Sequence, residues 1–151
     1  MQTENILYTK QLYFYCKVLY LLFTYKNMAK HNELGIEGEK QARIYLRTKG
    51  YNIRHINWVP FGSKNELDII AEKDGMLIVV EVKSRSTATF EHPKDSITQA
   101  KINRIVKATH DYIFTYDLLL ETRFDVISVL PNKQGTYCIE HIENAFFPPV
   151  N

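Results

Sequence analysis

A hairpin pattern between Asn65 and Arg85 is the feature that most constrains the fold of this chain. The dipeptide Asp74-Gly75 is a strong short-range signal for a tight turn between two antiparallel strands. The residues that follow, from Met76 to Val82, form an almost continuous apolar run. Such a run is typical of a strand that is covered on both faces. The sequence therefore predicts a hairpin whose second strand is buried between two layers.

Three acids and a lysine are set into this apolar hairpin: Glu66 and Asp68 on the first strand, and Glu81 and Lys83 on the second. Glu81 and Lys83 are two residues apart, so both side chains leave the second strand on the same face. The hairpin places Asp68, on the first strand, beside Glu81. Two carboxylates that converge next to an ammonium group form a candidate Mg²⁺ site, because Mg²⁺ prefers oxygen ligands. A metal there would polarise a phosphodiester and help to form the attacking hydroxide, while Lys83 orients the water or stabilises developing charge.

A plainer interpretation of the same residues is that the strand simply emerges into solvent after Val80. Glu81 and Lys83 would then be an ordinary polar strand end. Charged groups are costly to remove from water unless they are paired or bound to a metal. The presence of Asp68 on the neighbouring strand favours the metal site over the polar end.

Composition limits the domain count and the kinds of partner. A chain of 151 residues is long enough for one domain with a proper core, but not for two. The formal net charge of +2 comes entirely from residues 1–27, and residues 28–151 hold 16 basic and 16 acidic side chains. Bulk charge therefore does not argue for nucleic acid, and any DNA contact must come from a local patch.

Cysteine and histidine usage excludes several kinds of site. Cys16 and Cys138 have no paired spacing, which excludes a disulfide framework and a cysteine zinc site. Unpaired cysteines suit a reducing compartment, and we expect a cytoplasmic protein. The five histidines are scattered, which argues against a zinc hydrolase.

Residues 1–27 do not conform to the rest of the chain. Their apolar run, from Leu12 to Tyr25, is broken by Lys17 and is not followed by a signal-peptide cleavage site. The free energy of inserting this segment into a membrane as a spanning helix is close to zero. A weak helix on the membrane surface is therefore an alternative that the sequence leaves open. A simpler hypothesis is that translation starts at Met28. We therefore treat residues 1–27 as an extension and residues 28–151 as one domain, and expect a membrane partner only if the extension inserts.

Hydrophobic periodicity and turn residues predict an α/β fold, a central mixed sheet flanked by helices in the order α-β-β-β-α-β-β. Besides the hairpin, the predicted elements are a helix from Asn32 or Gly35 to Lys49, a strand Tyr51–Val59, a helix from Ile97 to about Tyr116 capped by Asp95 or Ser96, a strand Thr122–Leu130, and an edge strand Gly135–Ile142. Asp125 is interpreted as a hydrogen-bonded acid that flanks the core.

Basic residues outside the hairpin are candidate phosphate contacts. Lys101, Arg104 and Lys107 are three residues apart on one face of the second helix, although a solvated face is the usual reason for such a charge run. Arg85 opens the loop Ser84–Lys94 and suits bidentate contact with phosphate, although a surface arginine is usually just solvated.

Several motifs together resemble one known family. Asp68 followed by Glu81-Val82-Lys83 resembles the PD-(D/E)xK nuclease signature. The longer match is to the YraN-like family of predicted endonucleases, which resemble Holliday-junction resolvases. It consists of residues 35–42 (GIEGEKQA), 50–53 (GYNI), 57–58 (NW), 66–71 (ELDIIA), 80–85 (VEVKSR) and 101–104 (KINR). Asn65 departs from that pattern, which usually has glycine before the glutamate.

This resemblance implies a restriction-endonuclease-like core in a nuclease-like domain, 28–151. It implies that Glu39, which spacing alone would leave in solvent, joins Asp68 and Glu81 as a third metal ligand. Mg²⁺ is the implied cofactor, with Mn²⁺ as a substitute. Arg85, Lys101 and Arg104 would contact the phosphates of DNA, including branched or flap structures. Symmetric cutting of two strands would require a homodimer.

Two other function classes stay open from the sequence. The same fold could serve as a nucleic-acid-binding module with weak or absent catalysis. A membrane-associated protein anchored by residues 1–27 depends on where translation starts. The complete set of Asp68, Glu81 and Lys83 favours the metal-dependent endonuclease.

Overall fold

The computed structural model describes residues 32–86 and 97–149, together with Leu19, Leu22 and Thr24. The chain divides into two compact units, residues 1–34 and 35–151, and the architecture below is that of the second. The predicted extension and the start at Met28 lie outside the described residues, apart from the three positions just named. The predicted loop Ser84–Lys94 is described only as far as residue 86.

The predicted fold class is confirmed: among the described residues of the second unit, five strands and two helices follow one another in the order α-β-β-β-α-β-β. Helix α1 is described over residues 32–48, of which 35–48 belong to the second unit. The other elements are β1 (Asn52–Trp58), β2 (Leu67–Lys73), β3 (Met76–Ser84), α2 (Gln99–Thr115), β4 (Glu121–Pro131) and β5 (Tyr137–Ile142).

Two element starts differ from the prediction by more than one residue. Helix α2 begins at Gln99, because the Thr98 hydroxyl accepts a hydrogen bond from the Lys101 N–H and caps the first turn, so Asp95 and Ser96 are not the cap. The edge strand begins at Tyr137 instead of Gly135. The side-chain oxygen of Asn132 accepts hydrogen bonds from the main-chain N–H groups of Gln134 and Thr136, which holds these residues in a turn.

The strands form one mixed sheet in the order β1-β2-β3-β4-β5. Strands β3 and β4 are parallel, and the other three neighbouring pairs are antiparallel. A parallel pair needs a crossover connection, and α2 is the helix between these two strands. The arrangement leaves β3 as the central strand of the sheet.

Alternate residues of β3 pack on opposite faces of the sheet. Leu77 and Val79 join the apolar cluster that includes Ile105 and Tyr112 of α2. Ile78 and Val80 join the cluster that includes Ala42 and Leu46 of α1. Both faces of the central strand are therefore covered, as the apolar run predicted. Trp58 packs edge-on against Tyr112, with ring centroids 5.0 Å apart.

The turn of the predicted hairpin forms where the sequence placed it. Lys73 pairs with Met76 across the turn. Asp74 and Gly75 both have positive φ angles, of 51° and 78°. A two-residue turn with positive φ at both positions twists with its strands, and Asp-Gly adopts it readily. This turn fixes the register of β2 against β3, and that register positions the candidate site at the opposite end of the hairpin.

Candidate active site

Asp68 and Glu81 meet at the end of the β2–β3 hairpin that lies opposite the turn. Ile69 pairs with Val80, so the next position along each strand sets Asp68 opposite Glu81. One carboxylate oxygen of Asp68, Oδ2, accepts a hydrogen bond of 2.8 Å from the Val82 N–H. The Glu81 residue is only 5% exposed. The structure therefore brings the two predicted acids together, one partly and one almost fully buried.

Two lysine ammonium groups neutralise Glu81. The Nζ atom of Lys83, on the same strand, lies 2.9 Å from Oε1, and the Nζ atom of Lys101, on α2, lies 2.9 Å from Oε2. A buried carboxylate is tolerated only when such partners compensate for its lost hydration. The plainer interpretation, in which Glu81 and Lys83 are a solvated strand end, is therefore wrong for Glu81.

The pKa of Asp68 responds to these surroundings. Burial, followed by the negative charge of Glu81, raises the pKa of Asp68 to about 7. The hydrogen bond from Val82 and the charge of Lys101 act in the opposite direction, and the charge of Glu39 raises the pKa further. Two carboxylates held this close together repel each other, and a cation between them would relieve the repulsion.

We expect the stability of the metal-free protein to fall as the pH rises from about 4 to about 7. In this window the folded protein keeps the Asp68 proton whereas the unfolded chain has lost it, so folding becomes less favourable by up to about 1.4 kcal/mol per pH unit. Asp68→Asn should remove this dependence and make the protein more stable than the wild type above pH 7. Urea unfolding in EDTA at several pH values measures the effect.

Asp74→Asn is the matched control for this pH series, because Asp74 lies at the other end of the same hairpin and is exposed. Its pH profile should follow that of the wild type. Two results would contradict the attribution of this pH dependence to Asp68. One is a wild-type stability that rises between about pH 4 and 7, and the other is an Asp68→Asn profile that runs parallel to that of the wild type.

The donor set at the hairpin end fits a small, hard cation. Mg²⁺ is usually held by one or two carboxylates together with waters and substrate phosphate, and Asp68 and Glu81 can supply those carboxylates. Within the described ranges, no group of three or more His, Cys, Asp or Glu side chains is arranged to hold a metal ion. Glu39 is half-buried and close enough for its charge to act on Asp68, and its role as a third ligand stays a prediction.

Glu39 owes its position to a close contact between α1 and the end of β3. A Cβ atom added at Gly38 would lie 2.9 Å from the Cβ of Ser84, closer than real Cβ atoms approach one another. Only glycine therefore allows the helix to approach β3 at this point. Gly35, by contrast, has nothing within 4 Å of such an atom. Of these two glycines, Gly38 makes the contact.

A small polar pocket lies beside the carboxylates, between α2 and the loop that leads into β2. Its volume is about 170 Å³, and its lining consists of Lys64, Asn65, Glu66, Lys101 and Arg104. Three cations thus face a space large enough for a phosphate group. The structure places two of the predicted phosphate contacts, Lys101 and Arg104, in this pocket.

The other predicted phosphate contacts lie elsewhere. Arg85 follows β3 and is half-buried, and its main-chain N–H donates a hydrogen bond of 3.0 Å to the Val129 carbonyl. Lys107 is exposed on α2. Neither residue lines the pocket, and their contact with substrate stays a prediction.

Two features of the site were missed by sequence reasoning. The ion pair between Lys101 and Glu81 joins residues on different elements, and the hydrogen bond to Asp68 comes from the main chain of Val82. Neither has a signal in the sequence. The loop residues Lys64, Asn65 and Glu66 complete the lining of the pocket.

A second polar network surrounds Asp125, which is fully buried on β4. Its carboxylate accepts two hydrogen bonds of 2.8 Å from Arg123 and one of 2.9 Å from the Asn144 N–H, and it lies 2.9 Å from Nε2 of His141. Burial raises the pKa of Asp125, but the hydrogen bonds from His141, Arg123 and Asn144 outweigh burial and lower it overall. Asp125 is the hydrogen-bonded core-flanking acid that the sequence predicted.

Within the described part of the chain, no helix has both the length and the apolar character that a membrane span requires.

The fold and this site define an α/β protein with a cluster of carboxylates and lysines at the end of its central hairpin. The chain belongs to the uncharacterised protein family UPF0102, whose family model matches residues 38–129. The matched region contains every predicted site residue. The predicted relationship to the YraN-like family is thereby confirmed at the level of this family.

Relatives of similar length come from several bacteria. The chain is 48% identical over 123 residues to a UPF0102 protein of Phocaeicola vulgatus, covering 82% of this chain and 99% of that relative. It is 47% identical over 120 residues to a UPF0102 protein of Christiangramia forsetii, covering 80% and 98%. It is 45% identical over 120 residues to the UPF0102 protein FP2501 of Flavobacterium psychrophilum, also covering 80% and 98%.

Proposed function

We propose that this protein is a metal-dependent endonuclease that hydrolyses phosphodiester bonds in DNA, including branched or flap structures. The observation that carries the proposal is the convergence of Asp68, Glu81 and Lys83 at one end of the hairpin, next to a pocket with three cations. Carboxylates and a lysine beside a phosphate-sized basic pocket match the needs of phosphodiester hydrolysis. The resemblance to the PD-(D/E)xK nucleases supports the same function.

Each residue has a role in this proposal. Asp68 and Glu81 would hold Mg²⁺, with Mn²⁺ as a substitute, and Glu39 would support them. When bound, the metal would polarise the scissile phosphodiester and lower the pKa of a water molecule. Lys83 lies 2.9 Å from Glu81, so its ammonium group is placed to orient the attacking water or to stabilise the charge that develops on the phosphate.

DNA contact is assigned to the pocket cations, because residues 28–151 carry no net charge in bulk. Lys64, Lys101 and Arg104 would bind backbone phosphates, and Arg85 would contact the strand from the end of β3. Affinity that rests on such contacts should fall steeply with salt. A homodimer would place two such sites for symmetric cutting of two strands.

A second candidate function is a nucleic-acid-binding module with weak or absent catalysis on the same fold. One observation favours it: both carboxylate oxygens of Glu81 are paired with lysine ammonium groups, an arrangement that is neutral without any metal. A binding module would retain the basic pocket and have no need of a cation at the carboxylates.

Cleavage of a panel of labelled substrates distinguishes the two functions. Single-stranded, duplex, flap and four-way-junction DNA, with matched RNA, would be incubated with the full-length protein in Mg²⁺, Mn²⁺ or EDTA. We expect cutting with either metal, no cutting in EDTA, and a preference for one branched structure.

Binding to each substrate is measured in parallel by a gel-shift assay. Tight binding in EDTA without cutting of any substrate in either metal would contradict the endonuclease and favour the binding module. Cutting that persists in EDTA would contradict the role of the metal.

A further inference from the structure

Lys101 belongs to two sites at once. Its ammonium group lies 2.9 Å from Oε2 of Glu81, and the same side chain lines the pocket beside Lys64 and Arg104. Of the two lysines that pair with Glu81, only Lys101 is part of this pocket. It lies in the first turn of α2, whereas Lys83 is held two residues from Glu81 on β3.

This double role sets up a competition at Glu81. The carboxylate is almost fully buried, and each of its oxygens is already paired with an ammonium group. A divalent cation that binds Glu81 must displace at least one of those partners or be repelled by it. Lys101 is the partner with an alternative position, because the pocket could place its ammonium group against an anion.

We propose that the pocket is a subsite for a phosphate of the nucleic-acid backbone, and that phosphate bound there draws Lys101 away from Glu81 and so allows a divalent cation to bind. This inference rests on the proposed function, because it takes Asp68 and Glu81 as the cation ligands. The pocket also contains Glu66, whose carboxylate repels phosphate, but three cations outnumber it.

The coupling acts in both directions. If a backbone phosphate raises the affinity for the cation, the cation must raise the affinity for the nucleic acid by the same factor. Without nucleic acid, Lys101 stays on Glu81 and keeps the cation affinity low. The protein would then assemble its cation site mainly when nucleic acid is bound.

The test measures Mn²⁺ affinity in the full-length protein from the electron paramagnetic resonance signal of free Mn²⁺. Titrations are made without nucleic acid, with a short oligothymidylate, and with an uncharged methylphosphonate oligomer of the same sequence. Oligothymidylate alone corrects for Mn²⁺ bound to its own phosphates, and electrophoresis checks that it stays intact. In the wild type, only the phosphate-containing oligomer should raise the Mn²⁺ affinity, by about tenfold.

Three variants separate the two roles of Lys101. Lys101→Met should bind Mn²⁺ about tenfold more tightly than the wild type without oligomer, with little further gain when oligothymidylate is added. Arg104→Met should weaken oligothymidylate binding but leave the Mn²⁺ affinity without oligomer unchanged, because the Arg104 Nε donates to the Ala100 carbonyl and not to Glu81. Lys107→Met removes a charge of the same sign from an exposed position of the same helix, outside the pocket. It controls for bulk electrostatics in the titrations without nucleic acid.

The outcomes separate this proposal from the function on which it rests. Suppose that Asp68→Asn weakens Mn²⁺ binding but Lys101→Met binds Mn²⁺ no more tightly than Lys107→Met. The proposed coupling between phosphate and cation is then wrong, whereas the cation site at Asp68 is supported. If neither Asp68→Asn nor Lys101→Met changes Mn²⁺ binding, both the cation site and the coupling are wrong. Lys101→Arg, which keeps the positive charge, should retain the low affinity, and circular dichroism checks that each variant is folded.

Discussion

Asp68→Asn is expected to abolish metal-dependent cleavage while the protein stays folded and still binds DNA. Asparagine keeps the size of the side chain and can still accept the Val82 N–H, but it removes one of the two carboxylates that meet at the hairpin end. Losing several kcal/mol of transition-state stabilisation corresponds to a rate about a thousandfold lower. Single-turnover cleavage of the preferred substrate in Mg²⁺, with a gel-shift assay in EDTA, measures both quantities.

Asp74→Asn serves again as the matched control, since it removes a carboxylate from the turn of the same hairpin and should cut at the wild-type rate. Glu81→Gln should lose cleavage as Asp68→Asn does, although it also releases two buried ion pairs and is the less clean variant. Cleavage retained in both site variants would remove the hairpin end from the chemistry. Loss of DNA binding in Asp68→Asn would instead indicate that the substitution disturbs the pocket.

The hairpin could be predicted from the sequence because its determinants are local. A turn encoded by Asp74-Gly75 and an apolar run on one side of it specify both strands and their register. Once the register is known, Asp68 must face Glu81, so the central pair of the site follows from the same few residues. Family resemblance then added Glu39, whose position depends on the packing of Gly38 against Ser84.

The remaining parts of the site depend on contacts between distant elements. Lys101 reaches Glu81 because α2 crosses the sheet between β3 and β4, and no local pattern reports which of the basic residues on α2 will face a buried acid. The capping residue was predicted wrongly for a similar reason, because Asp95, Ser96 and Thr98 are all residue types that favour the N-cap and the local sequence does not distinguish among them.

The charge balance of the chain shows why composition is a poor guide to function here. Residues 28–151 have no net charge, yet Lys64, Lys101 and Arg104 line one small pocket next to the carboxylates. A concentration of cations at one point gives a strong local potential without a basic protein. Placing the acids beside that pocket also explains how Glu81 can stay buried, since one of the pocket lysines neutralises it.

Asp125→Ala is expected to lower the free energy of unfolding by about 3–5 kcal/mol, because it leaves a partly buried guanidinium without its main partner. The wild-type carboxylate holds Arg123 and accepts the N–H of Asn144, which anchors the tail after β5. Phe146 in that tail stacks on Phe124, with ring centroids 5.2 Å apart. We expect this packing to weaken when the hydrogen bond between Asn144 and Asp125 is lost. Urea unfolding at neutral pH measures the loss.

Glu140→Ala is the matched control, because Glu140 is exposed on β5 and its removal should change stability by less than about 0.5 kcal/mol. Since the pKa of Asp125 is lowered in the folded protein, its contribution is present above pH 4 and shrinks as the pH falls through that lowered pKa. The difference between wild type and Asp125→Ala should therefore narrow in acid, whereas stabilisation by Asp68→Asn grows with pH. A loss below about 1 kcal/mol at neutral pH would contradict the predicted contribution of this network to stability.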